Sequence, residues 1–97
     1  ELRERAGRPK EAVALFRRAV AAMPGDAAFR EGLARMLRQT GDKDGAAAEL
    51  AEAARLEPRE TGFSLRLAEL RLEQGKYAEA EDAARRAVAA APHNPQC

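Results

Sequence analysis

Residues 41–58 read GDKDGAAAELAEAARLEP and carry the pattern Gly-x4-Ala-x6-Ala-x4-Pro, which decides the fold. The pattern occurs three times, and each copy lies 34 residues after the previous one. A fixed period of this length is typical of a chain built from stacked supersecondary units. The three copies consist of Gly7, Ala12, Ala19 and Pro24; Gly41, Ala46, Ala53 and Pro58; and Gly75, Ala80, Ala87 and Pro92.

Each residue type in the pattern has a physical role. Glycine adopts the left-handed conformation without a steric cost, so it suits the end of a helix. Two alanines seven residues apart lie on one face of the following helix, and their small side chains allow another helix to approach closely. Proline cannot continue that helix, because it lacks the N–H group and clashes with the preceding turn. The pattern therefore predicts a repeated unit of helix, tight turn, helix and break.

The repeat resembles the tetratricopeptide repeat (TPR) family, whose 34-residue unit is a helix pair with small residues at fixed positions and a closing proline. The resemblance implies an all-α fold, namely an α-solenoid of antiparallel helix pairs that winds into a right-handed superhelix. It covers essentially the whole chain as a single TPR domain. The implied boundaries are a partial repeat at 1–26, full repeats at 27–60 and 61–94, and the start of a further helix at 95–97. Arg30 and Ser64 replace the large aromatic residue that the family often carries early in its first helix.

Turn and cap residues predict five helices in the body of the chain. They run over about 9–23, from an N-cap at Asp26 to about 40, from an N-cap at Asp42 to the break at Pro58, and over about 61–74 and 77–91. Apolar periodicity predicts the inward-facing residues. These are Ala12, Leu15, Phe16, Ala19, Val20, Phe29, Leu33, Met36, Leu37, Ala46, Leu50, Ala53, Ala54, Leu56, Phe63, Leu67, Leu70, Ala80, Ala84, Ala87 and Val88.

Both ends of the sequence read as interrupted repeats. Residues 1–6 resemble the end of a helix whose beginning is missing. Asn94-Pro95 resembles an N-cap followed by proline at the first helical position, which is the start of a further helix. Complete solenoids carry polar capping elements at their ends, and none is encoded here. We therefore expect this sequence to be a piece of a longer array.

Composition narrows the class of function. A net charge of +1 with 34% charged residues indicates interspersed charges and no steering toward nucleic acid or an anionic membrane. No apolar run reaches the roughly 18 residues of a membrane span, and the start lacks the pattern of a signal peptide. Usage rich in Arg and Ala but poor in Lys is typical of GC-rich bacterial genomes. For such a soluble chain we favour the bacterial cytoplasm over the periplasm, although one cysteine leaves the compartment open.

Candidate catalytic residues are few, and the sequence does not supply the partner residues that a metal site or an activated nucleophile would need. His93 is the sole histidine, whereas a metal site needs three or four ligands. Cys97 would need a neighbouring base to act as a nucleophile. The sequence has no Gly-rich phosphate loop, and the pairs Arg17-Arg18 and Arg85-Arg86 fall on second helices. We predict that the chain is not an enzyme and has no cofactor or metal site.

The TPR resemblance implies a binding surface, because the first helix of each pair lines a concave groove that takes peptides or partner helices. Leu65 and Leu72 are seven residues apart and share a face that differs from the core face, so they suggest an apolar contact surface. Arg35 and Arg38 favour a partner that carries a carboxylate beside an apolar anchor. The groove residues implied by the register are Ala28, Glu31, Arg35, Arg38, Gln39, Gly62, Leu65, Glu69, Leu72 and Glu73.

The favoured function is therefore a non-catalytic protein–protein interaction scaffold that binds a protein or peptide partner in this groove. Of the Lys, Asn and Arg clamp found in TPR co-chaperones, only Arg66 matches, so we do not expect a chaperone-tail clamp. A second interpretation is self-association, in which copies of the chain pack together through the incomplete repeats at their ends. A third is that the segment is the docking arm of a larger multidomain protein. The sequence does not identify the partner.

Overall fold

The computed structural model describes residues 8–90, which form five α-helices. In chain order these are α1 Pro9–Ala22, α2 Ala27–Gln39, α3 Lys43–Leu56, α4 Thr61–Glu73 and α5 Tyr77–Ala90. Each helix packs against the next one, so the described residues form an all-α array of successive antiparallel helices. The predicted helix bounds agree to within one or two residues. The predictions for residues 1–7 and 91–97, including those for His93, Cys97 and the Asn94-Pro95 cap, lie outside the described residues.

Two helices begin at the predicted aspartate caps. The Asp26 carboxylate accepts a hydrogen bond from the backbone N–H of Phe29 at 3.2 Å, and the Asp42 carboxylate accepts one from Gly45 at 2.8 Å. A glycine inside a helix lowers its intrinsic stability. At Gly45, however, a Cβ atom would lie 2.5 Å from Oδ2 of Asp42. The glycine therefore leaves room for the carboxylate that caps its own helix.

The turns inside the repeats depend on glycines in the left-handed region. Gly41 has φ +93° and Gly75 has φ +77°. After α2, the N–H of Asp42 donates to the carbonyl of Leu37 at 2.9 Å and the N–H of Gly41 donates to the carbonyl of Arg38 at 3.0 Å. This pair of bonds is a Schellman motif. After α4, the N–H groups of Gly75 and Lys76 donate the equivalent pair to the carbonyls of Leu72 and Arg71. The predicted role of these glycines is confirmed.

The repeated alanines lie where the helices approach one another. Ala46 and Ala53 of α3 have 0% relative exposure, and Ala80 and Ala87 of α5 have 3%. Ala53 packs with Ala27 of α2 and Phe63 of α4. A larger side chain at such a position would push neighbouring helices apart, because interiors are close-packed.

The main core runs through α2 to α5. Leu33 and Leu70 are its largest fully buried side chains, with 1% and 0% exposure. Val13, Phe16 and Val20 of α1 pack against this core from one end. Gly32 permits the contact with α1, because a Cβ atom there would clash with the ring of Phe16.

The two departures from the family's aromatic position have different structural solutions. Arg30 forms an ion pair with Glu49 at 3.0 Å, and both side chains are about four-fifths buried, at 18% and 20% exposure. The guanidinium also donates to the Pro24 carbonyl at 3.1 Å. In the next repeat the corresponding residues are Ser64 and Ala83, which are both buried. One helix pair is thus joined by an ion pair, whereas the other packs with small residues.

Two predictions of burial are wrong. Leu15 is 64% exposed and Val88 is 75% exposed, although both were expected to face inward. These residues lie on α1 and α5, the outermost helices of the described array. Each of these helices packs chiefly against one described neighbour, so part of its apolar surface remains uncovered by the described residues. Periodicity identifies an apolar face, but it does not show whether another helix covers that face.

We predict that Leu33→Ala lowers the free energy of unfolding by about 2–5 kcal/mol, because it leaves a cavity in the core. Leu15→Ala is the matched control. It should change stability by less than about 0.5 kcal/mol, since its side chain is largely solvated. Urea denaturation followed by circular dichroism measures both values. Equal losses in the two variants would contradict the described core.

We also predict that Gly41→Ala destabilises the fold by about 1–2 kcal/mol, because a side chain disfavours the left-handed conformation. Gly25→Ala provides the comparison, since no atom lies within 4 Å of the position that its Cβ would occupy and φ is not in the left-handed region. This second change should stabilise the chain by about 0.4–1 kcal/mol through the unfolded state. Opposite shifts in the urea midpoint are therefore expected.

Candidate partner-binding site

Two ion pairs join the first helices of successive repeats. Glu31 of α2 contacts Arg66 of α4 at 2.5 Å, and Arg38 of α2 contacts Glu73 of α4. The contacts are seven residues apart on both helices and run in the same order. The helices α2 and α4 therefore lie parallel, with side chains bridging the space between them.

A pocket of about 240 Å³ lies between these two helices. Its floor is apolar, because α3 contributes Ala46 and Leu50 from below. Its rim carries three guanidinium groups and one carboxylate. The full lining consists of Glu31, Ala34, Arg35, Arg38, Ala46, Leu50, Arg66 and Leu70.

The charges of the rim are unevenly exposed. The Arg35, Arg38 and Arg66 side chains are 60%, 43% and 53% exposed, whereas that of Glu31 is only 17% exposed. Glu31 also accepts a hydrogen bond from Arg35 at 3.5 Å. The arginines therefore outnumber the carboxylate at the mouth, and guanidinium groups suit the binding of a partner's carboxylate. The apolar floor suits a short aliphatic side chain.

The structure distributes the predicted groove residues over more than one surface. Glu31, Arg35 and Arg38 line the pocket, and Glu73 pairs with Arg38 beside it. Ala28 lines a separate open cleft of about 680 Å³ near the turns, and Gln39 is exposed on α2. Gly62 lies in the first turn of α4. The remaining residues, Leu65, Glu69 and Leu72, form an exposed surface on α4 that we call the α4 stripe.

Arg66 is a pocket residue that the groove prediction missed. Its repeat equivalent is Gly32, and Arg66 was noted only as the single match to the co-chaperone clamp, so it was not included among the groove residues. A signal was nevertheless present. Glu31 and Arg66, like Arg38 and Glu73, are opposite charges separated by 35 residues, one more than the period. Such pairs join neighbouring helices of a parallel array.

The two consecutive arginine pairs do not contribute to the pocket. Arg85 and Arg86 form ion pairs within α5, each at 3.1 Å, with Glu81 and Asp82. Within residues 8–90 no group of three or more metal-ligating side chains is found. No helix of this described range is both long and apolar enough to span a membrane.

A local ion pair on α3 has a measurable consequence. The hydrogen bond from Arg55 lowers the pKa of the Glu52 carboxyl below its ordinary value, and the positive charges of Arg55 and Arg30 act in the same direction. We predict that an NMR titration of the Glu52 carboxyl carbon finds this lowered pKa and that Arg55→Ala raises it. Because the folded-state pKa is the lower one, the contact stabilises the fold above the unfolded-state pKa. That contribution is lost as the pH falls through the folded-state pKa.

Comparison of the sequence with models of known protein families identifies the family of this chain. Two family models of the tetratricopeptide repeat match the chain, one over residues 5–60 and the other over residues 39–95. The helix pairs and buried alanines define a helical-repeat solenoid, a class of protein-interaction modules. The chain belongs to the tetratricopeptide repeat family. A sequence comparison with curated proteins gives no significant match.

Solved structures share the fold. The type III secretion chaperone SycD of Yersinia enterocolitica, in complex with a peptide of the translocator YopD, aligns with a TM-score of 0.82 and 25% identity over 96% of this chain and 71% of that chain. An alternative dimer of SycD aligns with a TM-score of 0.79 and 26% identity over 90% of this chain and 66% of that chain. The structure of MamA MSR-1 C2 aligns with a TM-score of 0.77 and 24% identity over 84% of this chain and 47% of that chain. This similarity shows a shared fold alone.

Proposed function

We propose that this chain is a non-catalytic interaction module that binds a segment of a partner protein in the groove between α2 and α4. The observation that carries the proposal is the pocket with an apolar floor and an arginine-rich rim. The segment would present a carboxylate next to a short aliphatic side chain. The carboxylate would meet the exposed arginines, and the aliphatic group would enter the pocket above Leu50.

The similar structure of SycD supports a peptide partner, since that protein is bound to a peptide of YopD. The pocket itself supports the chemistry of the segment. Its volume of about 240 Å³ suits one side chain rather than a whole small ligand, since pockets for drug-sized molecules are roughly 300–1,000 Å³. The neighbouring groove would hold the rest of the segment.

We predict that peptides selected from a random phage-displayed library against this chain share an acidic residue beside an aliphatic one. Binding of a selected synthetic peptide should fall at least tenfold in Arg35→Ala/Arg38→Ala, because each charge-assisted hydrogen bond contributes roughly 1.5–3 kcal/mol. Fluorescence anisotropy measures the affinity.

Arg85→Ala serves as the matched control for this experiment. Arg85 is an exposed arginine of α5 that pairs with Glu81, outside the pocket. It should leave peptide affinity unchanged. A selected peptide that binds the double variant as tightly as the original chain would overturn the proposed site. Selection of peptides without acidic residues would overturn the proposed chemistry.

Self-association is a second candidate function. Exposed apolar side chains at both ends of the described array favour it, namely Leu15 on α1 and Leu65, Leu72 and Val88 on α4 and α5. Burial of such groups against another chain would release ordered water and stabilise the assembly. This candidate and the peptide site use different surfaces.

A further inference from the structure

The α4 stripe occupies the position that, one repeat earlier on α2, lies beside another helix and forms ion pairs with it. Its counterpart 34 residues earlier consists of Glu31, Arg35 and Arg38 on α2. There, α4 lies alongside and contributes Arg66 and Glu73 to the contact. The α2–α4 pair therefore shows what this position of a first helix accepts, which is a parallel helix whose contacting residues are seven apart.

The described residues leave the α4 stripe itself uncovered. Leu65 and Leu72 are 48% and 53% exposed, and they lie on the side of α4 opposite the buried Phe63 and Leu67. Glu69 lies between the two leucines and forms no ion pair with the described residues. The stripe thus presents two aliphatic groups with one negative charge between them.

A complementary surface lies at the other end of the described array. On α1, the side chains of Leu15, Arg18 and Ala22 are exposed, and they lie opposite Val13 and Phe16, which face the core. We call Leu15, Arg18 and Ala22 the α1 stripe. It presents an aliphatic group and a methyl group seven residues apart, with a positive charge between them. Arg18 forms no ion pair with the residues that the structure describes.

We infer that the α1 stripe of one copy docks on the α4 stripe of a second copy. In the parallel arrangement that α2 and α4 already use, Leu15 lies against Leu65 and Ala22 lies against Leu72. Arg18 then lies beside Glu69 of the other copy. The spacing, the apolar pairs and the opposite charges agree in a single alignment of the two helices.

The resulting contact is head-to-tail, because it uses a different surface on each copy. Such contacts link further copies into a ring when the rotation between copies closes and into an open ladder when it does not. The inference rests on the second candidate function and is independent of the pocket between α2 and α4. Each copy keeps its arginine-rich pocket, so self-association and peptide binding are measured separately.

The experiment is sedimentation velocity of the full 97-residue chain over a concentration series. The weight-average mass of the original chain should rise above 10.5 kDa as concentration increases. Arg18→Glu alone and Glu69→Arg alone should each weaken association at least tenfold, because each places like charges at the contact. An equimolar mixture of the two variants should recover the association, since every contact between unlike chains then joins opposite charges.

Arg17→Glu is the matched control, since Arg17 is an exposed arginine of α1 outside the stripe. It should associate like the original chain. A mass that stays at 10.5 kDa at every concentration overturns the inference, as does a mixture that associates no better than its separate components. Peptide binding by the Arg18→Glu variant should remain unchanged, since Arg18 lies on α1 outside the groove, so failure of the pocket is distinguishable from failure of this contact.

Discussion

The close approach of α3 to its neighbours is the constraint on which the rest of the described structure depends. Ala46 and Ala53 have no exposed surface, and a methyl-sized side chain at each position sets how near α2 and α4 lie. That distance places Leu33 and Leu70 within one core. It also leaves α2 and α4 far enough apart for a pocket, yet near enough for their long charged side chains to meet above it.

The pocket results from this spacing between helices, and its binding chemistry results from the charged side chains at its rim. Glu31 is held by two guanidinium groups and is mostly shielded from water, whereas Arg35, Arg38 and Arg66 keep much of their surface in solvent. An ion pair at a surface contributes little to stability. These residues are therefore better suited to presenting positive charge beside an apolar floor than to holding the helices together, which the alanine contacts already achieve.

Much of the fold was predictable because the determining interactions are local. Asp26 and Asp42 cap the helices that follow them, and Gly41 and Gly75 end helices as expected. The contribution of Arg66 to the pocket was not predicted, because the equivalent position one repeat earlier is Gly32 and has no side chain to compare with it. The inward orientation expected for Leu15 and Val88 was wrong, because periodicity assigns a side of a helix and contains no information about its neighbour.

The sequence by itself determined the repeat, the helices, their caps and the turns, since each depends on residues within a few positions of one another. Only the tertiary structure decided which apolar faces are covered and which charges meet. Those outcomes depend on the distance and order of helices that are separated by a whole repeat. Glu31 shows the difference: its place on α2 follows from the local sequence, whereas its burial between Arg35 and Arg66 follows from α4 lying alongside.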